Sequence, residues 1–147
     1  MPDILFYHLQ GQRLEDVLPP LLEKCVERGW RVVVEASSED RVRDLDAWLW
    51  TFRDDSFLPH GTTADGVEDQ PILLTTQPGE PNGANVRFLV DGAAPGEIAH
   101  LDRAVLIFDG AVEAAVADAR RHWKTLKDAG HAPTYWQQVD GRWEKRA

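Results

Sequence analysis

The residues of this chain best spaced for chemistry lie in one stretch, ARRHWKTLKDAG (119–130). Arg120, Lys124 and Lys127 recur at steps of three and four, so a helix would line them along one side with Trp123 beside the row. A local basic face of this kind suits something small and acidic. The same cations also fit a second role: near a helix C-terminus they complement the macrodipole, as Glu113 and Asp118 do earlier in the helix. Trp123 is in phase with the apolar stripe Val112, Val116, Ala119 and Leu126, so core packing competes with binding for its ring. The charge is local. The chain carries a formal −9, yet residues 119–147 hold seven Lys/Arg against three Asp/Glu, while residues 1–118 hold nine against twenty-two. So negative a body argues against direct binding to a nucleic-acid backbone, which requires many cations.

Other chemistries lack their residues. The turn after the first apolar run, HLQGQRLEDVLPP, has one glycine and no phosphate-cradling lysine, and PGEPNGAN does not open onto a helix, so no nucleotide cofactor is expected. The histidines, at 8, 60, 100, 122 and 131, contain no pair spaced i, i+4, and no metal site is expected. No G-x-S-x-G occurs. Asp44, Asp46, Asp54 and Asp55 are close in sequence, as an acidic chain places carboxylates by chance. Cys25 is in phase with apolar neighbours and reads as a small core residue. A second aromatic-rich stretch, LDAWLWTFRDDSFLPHG (45–61), carries Trp48, Trp50, Phe52 and Phe57 on more than one helix face. Either one of them marks a contact surface or all pack beneath the following loop.

The positioning elements follow from periodicity. DILFYHL (3–9), WRVVVEA (30–36), PILLTT (71–76), VRFLVDG (86–92) and RAVLIFDG (103–110) are short apolar runs of buried-strand type. Leu18, Leu21, Leu22, Cys25 and Val26 form a helical stripe that begins at Pro19 and Pro20, which fit a first turn, and stops at Gly29. Ser37 with Asp40 resembles a capping box for a second helix over Val42, Leu45, Trp48 and Leu49. The third runs from Val112 to Gly130, and TYWQQVDGRWEKR suggests a hairpin around Asp140–Gly141. Apolar strands alternating with helices imply α/β class: a single three-layer domain over 1–147 with a mostly parallel sheet. No run approaches the roughly 20 apolar residues of a membrane span, and MPDILFYHLQGQRLEDV lacks the marks of a secretory signal, so a cytoplasmic location is expected.

Several separated pieces together resemble one family. FYHL, RGWRVVV, LDAWLW followed by SFLPHG, PILLT, FDG and ARRHWKTLKDAG occur in order along nearly the whole chain and look like the chi subunit of bacterial DNA polymerase III. The resemblance implies a nucleotide-binding-like topology without a nucleotide. It implies a non-catalytic accessory subunit supporting DNA replication, which grips the acidic C-terminal tail of single-stranded DNA-binding protein and pairs with the psi subunit of the clamp loader. A repair helicase is a further candidate partner. By position, Arg120, Trp123, Lys124 and Lys127 match the tail-binding pattern, and Val116 stands where relatives carry a basic residue. The psi contact is sought on Trp48, Trp50, Phe52 and Phe57. VDGRWEKRA has no place in the family pattern. The alternative is a small α/β enzyme or nucleotide binder with a degenerate motif, whose ligand would occupy the crevice at the carboxyl ends of the strands.

Overall fold

The computed structural model describes residues 2–51, 59–62, 70–140 and 142–147. Its elements run β1 (Asp3–Leu9), α1 (Leu14–Glu27), β2 (Val32–Glu35), α2 (Glu39–Thr51), β3 (Gly61–Thr62), β4 (Ile72–Thr75), β5 (Val86–Leu89), β6 (Arg103–Asp109), α3 (Glu113–Asp128), β7 (Thr134–Val139) and β8 (Arg142–Lys145). The strands form one sheet in the order β3-β4-β2-β5-β6-β1-β7-β8. Every described pairing is parallel except β7 with β8. This is the expected α/β class.

Strand alternation sorts side chains between two faces. Tyr7, Leu9, Val32, Val34, Ile72, Leu74, Phe88 and Ile107 pack with Leu18 and Leu22 of α1 and Leu45 and Leu49 of α2. Ile4, Phe6, Leu89, Ala104 and Leu106 pack on the opposite face with Ala119 and Leu126 of α3. Beyond α3 that second face is closed by chain rather than helix. Arg87, 2% exposed, pairs with Glu35 and donates to the carbonyls of Pro95 (3.2 Å) and Glu97 (3.3 Å), pinning the segment between β5 and β6 across the sheet. A buried guanidinium is tolerated only with such partners.

Three boundaries differ from expectation. The first helix starts at Leu14, five residues before Pro19, so both prolines lie in its second turn. Pro19 has no N–H for the Glu15 carbonyl, and the indole of Trp48 supplies the missing donor at 2.6 Å. The cap of α2 is Ser38, not Ser37: its hydroxyl accepts the Arg41 N–H at 3.2 Å. The strand β3 was not anticipated, because two residues leave no periodic signal. At the C-terminus the expected hairpin is present, pairing Val139 with Arg142 across a link in which Asp140 takes φ 49°.

Candidate peptide-binding groove

Helix α3 presents two sides. At 100° per residue, Val116, Arg120, Trp123 and Lys127 fall within about 60° of one another, and Lys124 lies about 40° further round. This flank faces β7. Trp123 is half-buried, its edge set against Phe6 at 5.2 Å between centroids and against Tyr135 at 6.2 Å, both T-shaped. The ring therefore packs on the core through Phe6 while part of it stays uncovered. Lys127 places its Nζ 5.9 Å from the indole centroid. Arg120 is exposed; burial raises the Tyr135 phenol pKa, against a hydrogen bond from the Gln137 side chain and the Arg120 charge, both of which lower it. Val116 is half-buried and forms the apolar head of the row; Lys124 is exposed on its shoulder.

Tyr135 is the site residue that periodicity could not supply. It belongs to a different element and meets α3 only because β7 adds to β1 in parallel, setting Tyr135 opposite Phe6. Its hydroxyl is bonded to Nδ1 of His8, and Phe108 closes the group at 6.1 Å. Burial lowers the His8 pKa, against the nearby Asp109 carboxylate, which raises it. The flank thus sets Arg120, Trp123 and Lys127 of the helix beside Tyr135 of the neighbouring strand.

The other side of α3 lines a different hollow. A cavity of about 510 Å³ opens at the carboxyl ends of β1, β5 and β6, where the chain leaves β1 over one face and β6 over the other. That is the usual ligand position in open α/β sheets. Its floor includes Leu9, Leu14, Leu89 and Leu106, and its rim carries Glu15, Asp91, Asp109 and Asp118 against Arg13 and Arg41. Arg41 is already engaged, to Glu15 at 2.5 Å and Asp91 at 2.6 Å. Burial alone would raise the Glu15 carboxyl, but a backbone hydrogen bond and the Arg41 guanidinium outweigh it and hold it below its usual range. Val112, expected in the core stripe, is instead the N-cap of α3, 47% exposed at this mouth.

The aromatic region of α2 divides. Trp48 is half-buried and committed to the Glu15 carbonyl, so it serves the fold. Trp50 is 51% exposed and rests on His60 at 4.4 Å. Phe52 and Phe57 lie outside the described residues. Among the described residues no cluster of three or more His, Cys, Asp or Glu is placed to hold a metal, and no helix is long and apolar enough to cross a membrane.

These features define a doubly wound α/β protein whose arranged cations sit on a helix flank rather than around the strand-end crevice. Residues 1–134 match the family described as DNA polymerase III chi subunit, HolC, and the chain belongs to that family. It is 25% identical over 109 residues to a probable DNA polymerase III subunit chi of Rickettsia prowazekii, covering 74% of this chain and 66% of that one. It is 29% identical over 108 residues to DNA polymerase III subunit chi of Pseudomonas aeruginosa, covering 71% and 74%. The family is an accessory subunit of the replication machinery. Most of β7 and all of β8 lie beyond the matched residues.

Proposed function

We propose that this chain is a non-catalytic adaptor of the DNA polymerase III holoenzyme that holds the acidic C-terminal tail of single-stranded DNA-binding protein in the groove between α3 and β7. The observation that carries the reading is the convergence of Arg120, Lys127, Trp123 and Tyr135 on one flank of an otherwise acidic protein. Acidic side chains and a terminal carboxylate need charge-assisted donors, and a terminal aromatic ring needs a notch bounded by other rings. The groove supplies both. A nucleotide in the strand-end crevice would face four carboxylates with both rim guanidiniums outnumbered, which opposes phosphate binding. Trp50, exposed at the end of α2, supports a second contact there with the psi subunit and through it the clamp loader.

Calorimetry with a synthetic acidic peptide ending in Pro-Phe tests the reading. Binding that weakens as salt rises and is lost in Arg120→Glu is expected. No binding at low salt, or equal binding by the variant, refutes it.

A further inference from the structure

The strand wall of the groove is held from beneath. Tyr135 presents a single aromatic ring to the flank, and its hydroxyl is bonded to His8 on β1, with the Gln137 side chain as a second hydrogen-bond partner. The His8 ring stands edge-on to Tyr135 at 5.7 Å between centroids and 5.1 Å from Phe108. Its far edge lies over Gly110, where a β-carbon would overlap the imidazole. The Gly110 backbone is outside the left-handed region, so it is the His8 ring, not φ, that requires a glycine there. His8 is seated in a slot of its own, and the seat fixes the direction of the Tyr135 hydroxyl.

We propose that His8 is a positioning residue for the groove: by its hydrogen bond to the Tyr135 hydroxyl it locks the phenol ring edge-on to Trp123, so that the two rings form the notch selecting a peptide whose last residue is aromatic. This rests on the reading of the groove as a peptide site. With its hydroxyl occupied, Tyr135 offers the peptide only ring. The terminal carboxylate is left to Arg120 and Lys127, and discrimination falls on the last side chain. Releasing the hydroxyl lets the ring turn about χ1 and χ2, and the notch loses its second wall.

The experiment compares two acidic peptides, one ending in Phe and one in Ala, by calorimetry against the full chain. His8→Leu and Tyr135→Phe are each expected to weaken the Phe-ending peptide about fivefold, the effect of one lost hydrogen bond, and to leave the Ala-ending peptide unchanged. The double variant should lose no more than Tyr135→Phe alone, because that variant already removes the His8 bond together with the one to Gln137. Gly110→Ala, which leaves both partners in place and fills the slot, should reproduce the loss when His8 is present and do nothing in a His8→Ala background. Imidazole ¹⁵N shifts compared between the parent protein and Tyr135→Phe read the bond with no peptide, and melting curves confirm that each variant is folded. Additive losses, equal losses for both peptides, or a Gly110→Ala effect independent of His8 would overturn the proposal while leaving the peptide site intact. A parent protein that binds neither peptide removes the peptide site itself; unchanged ¹⁵N shifts remove the His8 bond alone.

Discussion

The two sides of α3 are about 10 Å apart and chemically opposite. Toward the strand-end crevice it offers Asp118, His122 and small residues, and the guanidinium that crosses that rim, Arg41, is tied to Glu15 and Asp91. Toward β7 it offers Arg120, Trp123 and Lys127 around an aromatic floor. In most open α/β sheets the ligand sits in the crevice. Here the crevice charges are spent on each other, while the cations on the flank have no described carboxylate within ion-pair distance. A charge that is paired internally holds a fold together; a row of like charges left beside a ring is available to a partner.

The largest effect that would break this contrast is on binding. Arg120→Glu and Lys127→Glu should each weaken an acidic peptide by about ten- to a hundredfold, since each removes a charge-assisted contact and adds repulsion. Calorimetry at low salt checks this, and the melting temperature should stay within a degree or two. A crevice variant should invert the pattern. Arg41→Ala leaves Glu15 and Asp91 without their shared cation, and because all three side chains are between one fifth and one third exposed, the expected cost is only about 1–2 kcal/mol. Chemical denaturation would show it, with peptide affinity unchanged. If peptide binding instead followed Arg41 and ignored Arg120, the assignment of the two sides would be reversed.

Smaller still is the support behind the crevice wall. Trp48→Phe keeps the ring but orphans the Glu15 carbonyl that Pro19 cannot satisfy, at about 1 kcal/mol. Trp50→Ala, with its ring half in solvent, should leave stability nearly unchanged while weakening capture of psi. Denaturation curves beside a co-purification assay separate these two tryptophans.

Acid should loosen the fold on both sides of α3 while the arginines and lysines of the flank stay charged. The His122 and His8 pKa values are lowered, chiefly by burial, so both contribute stability that is complete above the ordinary histidine value and lost as pH falls through their folded values. Glu15, also lowered, follows the same sign at lower pH: its contribution is complete above the ordinary carboxyl value and lost below it. Melting temperature should therefore decline from pH 7 downward in two stages. Arg41→Ala should flatten the lower stage, and a profile flat from pH 7 to 4 would contradict this.

Much of the groove was legible in the chain. The steps between Arg120, Trp123 and Lys127 placed them on one side of a helix before any coordinate, because 3.6 residues per turn admits no other arrangement. The charge reversal after residue 118 marked the same segment. Pro19 and Pro20 misled, since a helix start is inferred from where proline is tolerated, and only the Trp48 indole, thirty-three positions from the Glu15 carbonyl that it bonds, compensates for the donor that Pro19 lacks. Ser38 rather than Ser37 as cap is a one-residue choice that local propensity does not make.

The sequence by itself determined the class of fold, the helix that carries the cations and the absence of a phosphate-cradling turn, because periodicity and composition act over neighbouring residues. Only the tertiary structure decided that Trp123 packs on Phe6, that Tyr135 comes up beside it, and that His8 bonds Tyr135 while lying over Gly110. Those contacts join β1, β6, α3 and β7 across as many as 127 positions, and strand order sets such distances, which no local pattern encodes.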